Sequence, residues 1–421
     1  MPHSLFYLIS ASAIGFLMTW GVGANDLANI LSTTIGSRSL TIRQVVIIAI
    51  IFETAGAFIG GVHVTNTIRS GIINVSLLAN TPEILVDGML ATLLSGMTWI
   101  WFASFVGMPV SITNSIVGAL VGFGALVLGV HAVHWRMVLS IALTWVFAPC
   151  FAALMSYLLF TLIRTSVLGT ANPCHSARYW MPVFFFLIGT ILSFMIILKD
   201  LSQFHLEFSV FWEIIITFIV SLLIMLLGLF LCRKLYHRKH IRSRHHRLAY
   251  VEKLFGILMM FTACAMIFAH GSNDIAIAIG PMTAIFNIVQ HKGHLVGLST
   301  YPGWILLFGT VGVLSGVLIY GRKVMHTVGR HITNLTPSRA FAATISAAGT
   351  VILATSAGVP VSATQTLVGG VLGVGLARGI AALNLRIIRN IFLSWIVTVP
   401  VAAGLAIGFY YLLRTLLHLV G

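Results

Sequence analysis

Apolar runs long enough to cross a hydrocarbon core as helices, which takes about 20 residues, recur near 5–31, 43–62, 87–107, 110–130, 137–163, 180–198 and 209–232. Five more follow near 253–280, 303–321, 339–358, 360–377 and 388–416, after a basic stretch from Arg233 to Arg247. The pattern predicts an all-α membrane protein of twelve segments, with the fourth and eleventh as candidate half-helices or re-entrant hairpins. The first run lacks a basic leader and continues into a polar motif, so it reads as a first span rather than a cleaved signal peptide. Residues 1–165 are read as a first membrane repeat and 253–421 as a second, inverted one. Residues 166–252 then supply two linking spans and a basic loop.

The polar interruptions of these runs repeat. Gly23-Ala24-Asn25-Asp26 returns as Gly271-Ser272-Asn273-Asp274, and Gly107-Met108-Pro109-Val110-Ser111-Ile112-Thr113-Asn114 returns as Gly358-Val359-Pro360-Val361-Ser362-Ala363-Thr364-Gln365. The step from aspartate to serine is 85 residues in one half (26 to 111) and 88 in the other (274 to 362). Two motifs in one order at nearly one spacing mark an internal duplication. Among the nine acids of the chain, Asp26, Glu53 and Asp274 alone sit inside apolar spans away from the ends. A buried carboxylate at membrane depth costs several kcal/mol, so each is expected to face a cavity and meet a cation or proton. Gly23 and Gly271 favour a helix break, and an aspartate capping such a break is the bland alternative. Asn25, Asp26, Asn273 and Asp274, together with freed carbonyls, would make an all-oxygen shell for a hard cation such as sodium. Glu53 has no acidic mate, because aligning Phe52-Glu53-Thr54 with Phe308-Gly309-Thr310 sets Gly309 opposite it.

The proline motifs read as helix starts. Pro109 and Pro360 cannot continue a preceding helix, and Ser111 and Ser362 each offer a capping oxygen to the next turn. Such a start exposes backbone N–H groups and the positive end of the helix dipole, which an anion would satisfy. Thr113, Asn114, Ser115, Thr364, Gln365 and Thr366 add neutral donors, so two facing starts would cradle a tetrahedral oxyanion. Polar residues binding helices to one another would be the alternative. His270 stands beside the second motif where the first has Val22, either as a proton relay or as a hydrogen bond between helices.

Composition places the chain in a bilayer: 58% of residues are hydrophobic and 8% charged, with a mean hydropathy of +1.03. A net charge of +15 would point to nucleic acid in a soluble protein. Here the basic residues fall between apolar runs, so no nucleic-acid partner is expected. Assigning loops alternately to two sides puts Arg38, Arg43, Arg164, Arg178, the 233–247 run, Arg322, Lys323, Arg330, Arg339, Arg378 and Arg386 together. By the positive-inside rule that side is cytoplasmic, and both termini lie outside. The run with His237, His240, His245 and His246 reads as a solvated loop rather than a lipid or metal site. Cys150, Cys174, Cys232 and Cys264 match no metal or redox spacing.

The paired Asn-Asp motifs, the paired Pro-Val-Ser motifs and Ile332-Thr333-Asn334-Leu335-Thr336-Pro337-Ser338 resemble the inorganic phosphate transporter family, PiT, over nearly the full chain. The resemblance implies phosphate uptake by symport with sodium or protons across the plasma (inner) membrane, an inverted-repeat fold and assembly as a homodimer, with no enzymatic activity and no cofactor. It further implies that the Asn-Asp pairs ligate cation and phosphate, and that Glu53 is a transport-essential acid. Ser111, Thr113, Asn114, Ser362, Thr364 and Gln365 would touch phosphate. One departure stands out, since Ile277 occupies the place that Asn29 has after the first motif. A sulfate permease on the same fold is the near alternative, disfavoured because hydrogen phosphate can donate a hydrogen bond to a carboxylate and sulfate cannot. An intramembrane aspartyl protease would leave the duplicated serine motif unexplained.

Overall fold

In the computed structural model, the described residues are 3–78, 80–195, 209–235, 243–294, 303–321, 325, 335–379 and 383–420. Lys199, Asp200 and Glu207, positions 236–242 of the basic run, Arg322, Lys323, Arg330, and 332–334 of the Ile332–Ser338 stretch lie outside them. Within the described residues the chain is helical, with one isolated bridge between Ile73 and Val133.

In order, the longer helices are α1 (Ser4–Val22), α2 (Ala28–Gly36), α3 (Ile42–Gly60), α4 (Pro82–Val106), α5 (Ile112–Phe123), α6 (Trp135–Ile163) and α7 (Pro173–Met195). They continue as α8 (Val210–Leu235), α9 (Arg244–His270), α10 (Ala276–Gln290), α11 (Gly303–Gly316), α12 (Pro337–Ser356), α13 (Ala363–Arg378) and α14 (Leu385–Val420). Short turns join several of them, and ten continuous helical stretches are long and apolar enough to cross a bilayer. The two remaining apolar elements are short: α5 has 12 residues plus a five-residue π-turn, and α13 has 16. These are the fourth and eleventh segments, so the twelve resolve into ten full spans and two short helices of about 25 Å.

The short helices start deep in the protein. Gly88 of α4 lies against Phe123 of α5, and Gly96 lies against Ile116, so Ile112 stands about level with Ile100 while α4 runs on to Val106. In the second half Gly370 lies against Ala343, which sets Ala363 about level with Thr350 while α12 continues to Ser356. Each short helix thus begins ~9 Å below the end of its predecessor. The descent is made by matching turns. Gly107 and Gly358 take φ of 77° and 69°, the left-handed region that glycine enters without strain. The next residue's N–H returns to the preceding helix in both, Met108 to Ala103 and Val359 to Ala354.

The Asn-Asp segments are not broken. A single π-turn, Gly23–Leu27, joins α1 to α2, and another, Gly271–Ile275, joins α9 to α10, giving unbroken helices of 33 and 47 residues. The broken helices expected at the site are therefore the α4–α5 and α12–α13 pairs. Glycine serves a different purpose in the π-turns, namely close crossing. A Cβ on Gly23 would run into the carbonyl oxygen of Val313 in α11, and one on Gly271 into that of Glu53 in α3. The crossings are reciprocal, because Gly316 meets the Trp20 carbonyl and Gly56 the Phe268 carbonyl.

That reciprocity corrects the assignment of Glu53. Its mate is Val313, one helical turn beyond Gly309, because Val313 lies on Gly23 as Glu53 lies on Gly271. The Phe-x-Thr likeness that singled out Gly309 is a register slip of four residues, which an apolar helix permits because its packing repeats every turn.

Candidate substrate and ion site

All eleven residues singled out by the sequence as site candidates are buried, none more than 2% exposed. Most of them join one hydrogen-bonded network where the starts of α5 and α13 meet. Ser111 and Ser362 cap their helices, accepting from the N–H of Asn114 at 3.3 Å and of Gln365 at 3.2 Å. Ser115 and Thr366 turn back to the carbonyls of those caps at 3.0 and 2.7 Å, so their hydroxyls serve the helix.

The starts are stitched across the halves. Thr113, in the first turn of α5, donates to the carbonyl of Val361 at 3.0 Å, just before α13. Thr364, in the first turn of α13, donates to Asp26 Oδ1 at 2.6 Å, while Asp26 Oδ2 accepts the N–H of Ile112 at 3.3 Å. Asp26 therefore bridges both helix starts. A carboxylate at an N-terminus takes the place an anionic ligand would favour, since both are held by unpaired N–H groups and the dipole.

The asparagines hold the loops before those starts. Asn25 Oδ1 accepts the N–H of Val110 at 3.4 Å, and its Nδ2 donates to Ser104 Oγ and the Met108 carbonyl. Asn273 Oδ1 accepts the N–H of Val361 at 3.3 Å, and its Nδ2 donates to the Val361 carbonyl and to Asp274 Oδ1. Each asparagine thus pins the proline loop of its own half, a role that motif spacing does not reveal.

The two aspartates differ. Asp274 Oδ2 lies 3.0 Å from His270 Nε2, and His270 Nδ1 lies 2.7 Å from Glu53 Oε1, all three side chains being buried. His270 therefore ties Asp274, one turn along its own helix, to Glu53 of α3. Around Asp26 the equivalent positions hold Val22 and Val313.

A third duplicated signal was passed over in the sequence: Leu143-Thr144-Trp145 and Leu393-Ser394-Trp395. Thr144 Oγ1 donates to the Pro360 carbonyl at 3.3 Å, and Ser394 Oγ to the Pro109 carbonyl at 3.1 Å. Each half thereby lends a late helix, α6 or α14, to the proline loop of the other. Three residues inside apolar runs are too short a likeness to stand out beside Gly-Pro-Ser motifs; the nearly equal spacing from those motifs, 35 residues from Pro109 to Thr144 and 34 from Pro360 to Ser394, is what could have exposed it. Several buried polar atoms here make no hydrogen bond within the protein, namely the oxygens Asn29 Oδ1, Glu53 Oε2, Asn114 Oδ1 and Gln365 Oε1, the indole nitrogens of Trp145 and Trp395, and His270 Nε2, which meets Asp274 at ion-pair distance only. In a protein interior such atoms are rare, and each calls for a partner such as water or a ligand.

Residues 22–406 match the model of the phosphate transporter family. A protein of Haemophilus influenzae named as a phosphate permease is 42% identical over 98% of both chains. The chloroplastic inorganic phosphate transporter 2-1 of Arabidopsis thaliana is 35% identical over 96% of this chain and 72% of its own length. Among solved structures, one described as the sodium-dependent phosphate transporter superposes with a TM-score of 0.89 at 37% identity, over 97% of this chain and 99% of its own. An all-helical chain that spans the bilayer many times, with paired Asn-Asp motifs on paired buried helix starts, thus belongs to the phosphate transporter family.

Proposed function

We propose that this chain takes up inorganic phosphate by symport with sodium across the plasma (inner) membrane, phosphate resting on the starts of α5 and α13. The observation that carries this reading is Asp26, whose carboxylate holds both starts at once. A phosphate arriving there meets a negative charge in a poorly screened interior. A cation between carboxylate and phosphate turns that repulsion into attraction, so the anion and its co-ion bind together. Sodium is favoured over a proton for this position because Asn25 and Asn29 bring amide oxygens beside the Asp26 carboxylate, and because the superposed transporter is described as sodium-dependent. Phosphate is favoured over sulfate because the partnerless atoms are of both kinds: the amide oxygens of Asn114 and Gln365 suit a P–OH donor, and the two indole N–H groups suit phosphate oxygens.

Phosphate and sulfate uptake into proteoliposomes, with sodium and pH gradients imposed separately, tests the reading. The expected result is phosphate accumulation driven by an inward sodium gradient and no sulfate uptake. Accumulation driven by a pH gradient alone would replace sodium with the proton, and uptake of sulfate alone would overturn the substrate.

The orientation belongs to the same proposal. Residues 72–74 and 132–134 pair through backbone bonds, Asn74 to Ala132 and His134 to Ile72, which supports their lying on one side, as alternate loops should. Cysteines at Ser76 and Ser243, in a variant without the native four, are expected to react with an impermeant reagent from outside and to be protected from it, respectively. The opposite labelling would invert the protein.

A further inference from the structure

We infer that the two copies of the Asn-Asp motif are not equivalent cation sites: the first holds a metal cation on the side-chain oxygens of Asn25, Asp26 and Asn29, and the second holds none. The inference rests on the sodium-coupled reading above and deepens it by assigning the ion to one half. Asn25 and Asp26 both reach the helix starts, and Asn29 stands one helical turn after them, neighbour to both along the helix surface. The amide of Asn29 is turned into this cluster, its Nδ2 donating to Asn25 Oδ1 at 3.3 Å. That contact fixes which end of the amide is which, since reversing it would set two oxygens together. Asn29 is 3% exposed, and its Oδ1 has no partner. Hard monovalent cations take neutral and anionic oxygens of this kind.

At the second copy each requirement fails. Ile277 stands in the place of Asn29 and is fully buried in the apolar core, so the amide oxygen is missing. Both oxygens of Asp274 already face nitrogen, Oδ1 the amide of Asn273 and Oδ2 the imidazole of His270. His270 is itself braced by Glu53 on its other nitrogen. The protein thus supplies its own counter-group to Asp274, whereas Val22 and Val313 supply none to Asp26. A carboxylate supported by one hydroxyl and one backbone N–H, beside an unmet amide oxygen, is the one left for an external cation.

The test is equilibrium binding of radioactive sodium and of phosphate to the purified full-length protein. At saturating phosphate one sodium per chain is expected, and phosphate affinity should rise with sodium at a log–log slope of about one. Asn29→Ala should abolish sodium binding and flatten that slope while some phosphate binding survives; Asn29→Asp, which keeps an oxygen, should retain sodium. Ile277→Ala should leave both the count and the slope unchanged. Two sodium ions per chain, a sodium ion retained by Asn29→Ala, or one lost in Ile277→Ala would each overturn the inference and leave the proposed symport standing. Absence of phosphate binding at every sodium concentration would instead sink the proposed function itself.

Discussion

The two Asn-Asp motifs share a sequence and a π-turn, yet they are connected differently. Around Asp26 the partners come from helix starts: a hydroxyl of α13 and an N–H of α5. Around Asp274 they come from side chains on long helices, His270 on α9 and, behind it, Glu53 on α3. The difference follows from two positions, where Val22 and Val313 in one half correspond to His270 and Glu53 in the other. Duplication fixes the scaffold, and a pair of differences inside it is enough to give one carboxylate an imidazole partner and leave the other with contacts from the helix starts.

The strongest way to break this comparison is His270→Ala. It strands Glu53 and Asp274 as buried acids without their shared partner, and removing one member of a buried charged set costs about 3–5 kcal/mol. A large drop in thermal stability in detergent is expected, whereas Val22→Ala, at the equivalent place beside Asp26, should cost about 1.5–3 kcal/mol as a core truncation of two carbons. Equal losses would show that the imidazole is ordinary packing.

Exchanging charge at the aspartates comes next. Asp26→Asn keeps the shape but loses one charge-assisted contact with Ile112 or Thr364, worth about 1.5–3 kcal/mol, so phosphate binding should weaken by roughly 10- to 100-fold and lose its sodium dependence. Asp274→Asn should block turnover while leaving sodium-dependent binding in place. Binding isotherms across a sodium series would decide. Identical profiles from the two variants would restore the symmetric view that the motifs alone favour.

The smaller effects probe what the halves share. Gly23→Ala and Gly271→Ala each push a Cβ against a backbone oxygen and should cost about 1–3 kcal/mol, with Gly256→Ala, which meets nothing within 4 Å, as the neutral control. Ser111→Ala and Ser362→Ala each remove one cap and should cost about 1 kcal/mol, equally in both halves, read as shifts in melting temperature. Unequal cap costs would mean that the two helix starts are not structural copies.

Membrane class, twelve apolar segments, duplicated motifs and the capping serines were all legible in the order of residues, because each depends on local chemistry. A bilayer demands long apolar runs, proline stops a helix, and a serine before a new turn caps it, whatever lies elsewhere in the chain. The partners of Glu53 were not legible. Its mate at Val313 and its contact with His270, 217 residues away in sequence, depend on which turn of one apolar helix crosses which turn of another, and sequence leaves that register free to slip by a turn. The use of Gly23 and Gly271 went the same way. Glycine permits both a break and a close crossing, and the choice fell to the helices packed against it, where a carbonyl oxygen of α11 or α3 occupies the space a side chain would need. The residue types that a cation and an oxyanion require were therefore set by the sequence itself. Which of the two aspartates is already partnered was decided by tertiary packing, which alone brings side chains from distant helices within hydrogen-bonding reach.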